Sequence, residues 1–226
     1  MYGINLSLNI ADDGSQKEPA EQFFIKNPPT PDMRLFVITE DLGFNSHGAR
    51  NLLMKHTQTD WNLLSDIDRS YSDKTLLRMY DDHKDVGCYY VLVAPPMIER
   101  ELCTVNDYVV HTRDFWRAGG YDEEFVNAHY GDRDFMKVLG SVAKRVVNSD
   151  WEVNFTRFAR KTVIHAPLGG VKTTQYPDDD TMVVPDTDWN SRSFRTALIK
   201  EVRTRNSRES LRRTKQIINF PWKQVF

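Results

Sequence analysis

The stretch "WNLLSDIDRSYS", Trp61 to Ser72, turns abruptly from apolar to acidic. Leu63 and Leu64 head for an interior. Asp66 and Asp68 then follow one residue apart. Alternate residues of an extended segment share a side, so both carboxylates can face one ligand. Two like charges that close are tolerated at a solvated turn or around something positive. The positive partner that suits them is a hard dication such as Mn2+ or Mg2+. It takes carboxylate oxygens and completes its shell with water and a diphosphate. Taken alone, so small a motif is more often a solvated turn.

Four other groups could carry chemistry. Asp12 and Asp13 open "DDGS", an Asx-rich turn that can also meet a ligand. "GARN", Gly48 to Asn51, offers helix N–H groups and Arg50 to a phosphate, although a lone arginine is more often a surface residue. "AGGYDEEFVNAHYGDRDF", Ala118 to Phe135, holds Gly119 and Gly120, a pair that lets backbone approach a ligand. It ends on Asp132 and Asp134 at a helix start, where the helix dipole favours them. A carboxylate there can act as general base if it is aimed at an acceptor hydroxyl. A capped helix after a turn is the bland alternative. His165, in "KTVIHA", is either a strand-end residue or a further ligand in a carboxylate metal site.

The elements that would position these groups follow from periodicity. Residues 4–10, 34–39, 61–65 and 88–94 are predicted strands. Residues 15–33 are predicted as a loop with at most a short helix. A helix is expected within 41–57, N-capped by Asn45 or Ser46 and packing on Ala49, Leu52 and Leu53. Residues 105–116 alternate like a strand. Phe135, Val138, Leu139, Val142 and Ala143 give a helix over 132–146 one apolar face. Residues 152–159 and 161–166 read as two more strands. Alternating strands and helices in the first half imply α/β, with ligands beyond the carboxyl ends of the strands. The acidic turn after 4–10 and the "DID" after 61–65 would line one edge.

The order of these pieces, "DDGS", "GARN", "DID", "GGYDE", "GDRDF" and "VIH", resembles the GT-A nucleotide-sugar glycosyltransferases, particularly the family-2-like group. The resemblance spans about residues 4–166. It implies an α/β, Rossmann-like mixed sheet flanked by helices, and transfer of a sugar, with inversion, from a nucleotide-sugar donor (a UDP-sugar by family preference) to an acceptor hydroxyl. It implies that Asp13 contacts the nucleobase and Arg50 lies near the nucleotide. Asp66 and Asp68 would hold the metal and diphosphate, Asp132 would be the base with Asp134 in reserve, and His165 would be a metal ligand. Asp12, Gly119 and Gly120 fall in the same binding elements. The chain departs from the family twice. It starts almost at the family's second strand, and Gly131 stands where a Glu is usual.

Composition bounds the rest. The chain has 226 residues, net charge -2, 40% hydrophobic and 27% charged residues, which suits a folded protein with a sizeable core. Two cysteines, Cys88 and Cys103, outside any C-x-x-C pair, fit a reduced, cytoplasmic setting. No run of about 18 apolar residues is present, and the first residues do not read as a signal peptide. Residues 1–190 are expected to form the catalytic domain, with a nucleotide part over about 1–100 and an acceptor part over about 101–190. Residues 192–215, with nine Lys/Arg against two Glu, are expected to form a basic amphipathic helix in a 191–226 tail. Such a helix can be a solvated face, a cover for a diphosphate, a nucleic-acid track or a peripheral membrane contact. The acceptor is therefore open among glycan, small molecule and nucleic acid, for example a hydroxylated base in viral or phage DNA. A non-catalytic sugar-nucleotide or nucleic-acid binding module is the reading from another class.

Overall fold

The computed structural model describes residues 6–16, 18–29, 32–42, 45–67, 69–93, 103–125, 131–155 and 217–226. Asp68, His165 and the segment 192–215 lie outside these residues, as does the strand expected at 161–166.

The fold is α/β, with two mixed sheets flanked by helices. In the first, β1 (Leu8–Asp12) lies parallel to β2 (Met33–Ile38), and β9 (Trp222–Gln224) adds antiparallel to β2. Helix α1 (Ala20–Lys26) makes the crossover between β1 and β2. The second sheet has the order β3 (Trp61–Leu64), β6 (Cys103–His111), β5 (Cys88–Val93), β7 (Lys144–Glu152). Its β3–β6 and β5–β6 pairs are antiparallel, and β5–β7 is parallel. A short ribbon pairs β4 (Arg69–Ser70) with β8 (Asn154–Phe155).

Period-two alternation along β5 serves both faces of the second sheet. Tyr89 and Val91 pack with Tyr108, Phe115, Tyr121, Phe135 and Leu139 beneath α4 (Thr112–Arg117) and α5 (Gly131–Val142). Tyr90 and Leu92 pack the other way, with Val109, Trp151 and Met79 of α3 (Asp73–Asp81). Helix α2 (Ser46–Lys55) is buried on almost every side. Ala49 and Leu52 face the first sheet with Phe36, Ile38 and Phe220, and Met54 joins the core of the second.

Several boundaries differ from the sequence expectation. Residues 112–116 are helix α4, not a continuation of the strand. The His111 side chain accepts from Arg113 N, and buried Asp114 accepts from Gly87 N, which turns the chain. The helix expected over 132–146 ends at Val142, and residues from Lys144 onward pair with β5. That pairing makes 144–152 the strand, so the segment expected to be a strand over 152–159 contributes Glu152 to the end of β7 and the two-residue β8 within the described residues.

One carboxylate ties the chain's end to its middle. Both Glu123 oxygens accept from Ile218 N, at 2.8 and 3.0 Å, and one also takes Asn51 Nδ2 at 2.8 Å. Glu123→Ala leaves Ile218 N unpaired and takes one of two acceptors from Asn51 Nδ2, so it should lower unfolding free energy by about 1–3 kcal/mol. Hydrogen exchange should quicken at the amides of β9 that follow. Unchanged exchange there would mean that Glu123 does not pin the segment.

Candidate active site

The site is built outward from α2. Asp12 Oδ1 accepts from Gly14 N and Ser15 N at 3.1 and 2.8 Å, and its Oδ2 accepts from Ala20 N at 2.8 Å. This saturates one carboxylate of "DDGS" with backbone, closing the turn and capping α1 from a distance. The second, Asp13, accepts from Asn45 N at 3.2 Å. Burial pushes its pKa up, with Asp12 and Asp41 adding to the rise, and the Asn45 N–H works the other way. Asn45 in turn caps α2, its side chain accepting from Gly48 N at 3.0 Å. That N–H is therefore spent inside the helix.

Helix α2 then presents Arg50 and Asn51 to the other motifs. Asn51 is fully buried and clasps Tyr121: its Nδ2 donates to Tyr121 O at 2.9 Å, and Tyr121 N donates to its Oδ1 at 2.8 Å. The close approach depends on the glycine pair. Gly119 and Gly120 both have positive φ, 84° and 67°. A Cβ on Gly120 would lie 2.8 Å from Asn51 Oδ1. The backbone approach that the glycines permit is thus to Asn51.

Arg50 is the centre. Its NH2 donates to Asp66 Oδ1, and its NH1 donates to Asp132 Oδ1 and, at 3.0 Å, to Tyr121 OH. Its guanidinium lies 5.3 Å from the centroid of the Tyr121 ring. Burial opposes the charge, but Tyr121, Asp132 and Asp66 more than offset it and hold the guanidinium well above its ordinary value. Tyr121, pushed up to about 12 by burial, shares its hydroxyl with Tyr108 OH at 2.8 Å.

Asp66 is held from its other side as well. Its Oδ2 accepts from Asn106 Nδ2 at 2.7 Å and Arg69 NH2 at 3.3 Å. Arg69 Nε donates to Asp107, a fully buried carboxylate that also takes Ser65 Oγ and Tyr71 OH at 3.0 and 3.1 Å. Burial, with Asp107 alongside, drives the Tyr71 phenol upward.

The structure therefore joins Asp13, Arg50, Asp66 and Asp132 through one helix. Asp12 lies at the end of β1, in the turn that leads to α1. Asp134 is two residues beyond Asp132, half-buried. Asp68 and His165 lie outside the described residues. The sequence reading left out Asn51 and Tyr121, although both stand in quoted motifs, and it left out Arg69, Asn106 and Asp107. Asp107 had a signal: a carboxylate at an interior position of an alternating strand, where burial demands partners.

No protein-family model matches the chain. No curated protein matches it. Among the solved structures that do match is the mannosyltransferase PcManGT from Pyrobaculum calidifontis, in complex with GDP-Man and Mn2+. It has 16% sequence identity and a TM-score of 0.49, over 68% of this chain and 48% of that one. The chain spans about half the length of that structure.

Among the described residues no cluster of three or more His, Cys, Asp or Glu is arranged to hold a metal ion. The donor chemistry nevertheless fits a dication. Asp66 and Asp132 present carboxylate oxygens, the donors that a hard dication takes, toward the more exposed side of the cluster.

Arg50 has two carboxylate partners, so either one can be neutralised while the other remains. Asp66→Asn and Asp132→Asn should each be tolerated. The double variant strips a buried guanidinium of both. Its loss of stability in urea should exceed the sum of the singles by about 1–3 kcal/mol. Simple additivity would show that the two pairs are independent.

Proposed function

We propose that the chain is a metal-dependent, inverting glycosyltransferase of the GT-A, family-2-like kind. It moves a hexose or pentose from a nucleotide-sugar donor, a UDP-sugar in the first instance, to an acceptor hydroxyl. One observation carries the reading: a single buried guanidinium draws together Asp66, the first carboxylate of the D-x-D, and Asp132, the head of α5. These are the two motifs to which the family resemblance gives donor binding and catalysis, and they lie 66 residues apart in the chain.

In this reading Asp66, Asp68 and His165 would hold the metal, which supplies positive charge to the leaving diphosphate. Asp13 sits at the nucleoside end, and Arg50 orients both carboxylates from behind. Arg50 engages Asp132 through Oδ1, and among the described residues nothing engages Oδ2. That oxygen takes the proton of the acceptor hydroxyl as the hydroxyl oxygen attacks the anomeric carbon. The bond from that carbon to the diphosphate breaks on the opposite face, so the sugar's configuration inverts. In this layout residues 1–100 serve the nucleotide and 101–190 the acceptor.

Asp132→Asn keeps the shape and the contact to Arg50 but cannot take a proton. Transfer should fall by roughly 10²–10⁴ with donor KM little changed. A panel of UDP- and GDP-sugars with Mn2+, followed by EDTA, tests the donor and the metal. Asp68→Ala should abolish the metal-dependent turnover in a protein that remains folded. Normal transfer in Asp132→Asn beside a dead Asp134→Asn would move the base to Asp134. Turnover that survives both EDTA and Asp68→Ala would sink the metal assignment.

A further inference from the structure

His47 is a buried histidine whose placement the site as described does not use. It stands in the first turn of α2, only 2% exposed, among the rings of Tyr121 and Phe125 at centroid distances of 5.3 and 5.9 Å. Neither ring nitrogen has a hydrogen-bond partner among the described residues. An unpartnered buried polar group costs stability, and an apolar side chain would fill the same space without that cost. What the imidazole faces is the head of α5. A Cβ built on Gly131 would lie 2.3 Å from His47 Nε2 and 2.6 Å from Cε1. The ring occupies the space a side chain at 131 would need, so the missing side chain at 131 and the imidazole at 47 are complementary. Across that contact His47 Nε2 lies 3.9 Å from Asp132 Oδ1, one small shift from a hydrogen bond.

We propose that His47 is a positioning residue acting through Asp132, as the onward acceptor of the proton that Asp132 takes from the acceptor hydroxyl. This rests on the transferase reading above. The balance is simple. The hydroxyl O–H bond breaks and its oxygen bonds to the anomeric carbon. The electron pair of the old bond leaves on the diphosphate. Rotation of the Asp132 carboxyl brings the protonated oxygen to His47 Nε2, the proton passes to the imidazole, and it later leaves to solvent. A proton kept on Asp132 would leave buried Arg50 with one carboxylate fewer, so a second acceptor restores the ion pair at once.

The charges around the ring suit the task. Burial holds the imidazole below its ordinary 6.5, so it rests neutral, with an open nitrogen, near neutral pH. Arg50 of its own helix lowers it further. Asp132 of α5, Asp122 just before a 3-10 turn at Glu123–Phe125, and Asp66 after β3 pull the other way and stabilise the imidazolium once it forms. Activity should therefore fall as pH drops through a value under 6.5.

The test uses the full chain. His47→Gln keeps a polar side chain of similar reach but cannot carry the proton. It should lower kcat roughly 10- to 100-fold, the range of outer partners of a working side chain, with donor KM unchanged and the acid limb of the kcat profile lost. Gly131→Ala, which displaces the ring without touching its chemistry, should act the same way. A second readout needs no turnover: imidazole NMR titration, with the His47 signal assigned by its absence in His47→Gln. In Asp132→Asn the His47 titration should move to lower pH, because the carboxylate that favours imidazolium is gone. A His47 titration indifferent to Asp132→Asn overturns the relay, as does a His47→Gln profile that superimposes on the parent's. A coupled titration in a protein that transfers no sugar would support the pairing and sink the transferase reading instead.

Discussion

A guanidinium cannot shed its proton to escape burial, so Arg50 can sit inside the protein only if carboxylates come to it. That requirement organises the site. One carboxylate arrives from the turn after β3 and the other from the head of α5, and Tyr121 OH supplies a further acceptor. For all three to converge, α2 must lie between the two sheets. Its register is fixed at one end by Asp13 and Asn45, and along its length by the Asn51 clasp on Tyr121. A helix buried on almost every side, carrying an arginine and an asparagine inward, is a poor packing element. It makes sense as the piece that brings distant motifs together.

The same constraint explains what the residues alone disclosed. "DDGS", "GARN" and "GGYDE" were legible because each joins glycine to charge, and "DID" because it sets two like charges one residue apart, combinations that ordinary packing does not favour. The cap at Asn45 and the strands β2, β3 and β5 came from local rules that the tertiary structure respects. The partners came through less well. Tyr121 and Asn51 carry no net charge, and their importance lies in a backbone-to-side-chain clasp between residues 70 apart. The reading of "GARN" as a phosphate cradle gave Arg50 an outward role. In the folded chain its guanidinium faces inward.

Elements were missed for a related reason. Strand β7, "KRVVNSDWE", is mostly exposed and polar because it lies at a sheet edge, and its charged start reads as a helix continuation. Parallel pairing with β5 decides otherwise. Helix α3 buries only Thr75 and Met79, too narrow a stripe to announce itself, yet Ser72 caps it soundly by accepting from Thr75 N at 3.1 Å. Strand β9 has three residues and owes its existence to β2 and to Glu123. In each case the deciding contact is remote in sequence.

Exposure across the charged cluster is graded, and the gradient has a consequence for chemistry. The Arg50 side chain is 8% exposed, Asp132 23% and Asp66 31%. The cation therefore lies at the back and the anions lean toward solvent. A carboxylate gripped from behind keeps its outward oxygen fixed, so little reorganisation is needed when a ligand arrives. Asp66 is held still more firmly, since Asn106 and Arg69 secure its second oxygen through a network that ends on buried Asp107. Asp132 has no such second brace among the described residues. On its inner side lies His47, within a small shift of contact, in the space that Gly131 leaves empty. The two carboxylates thus differ in kind. One is locked as an anchor, and the other is held on one side only among the described residues.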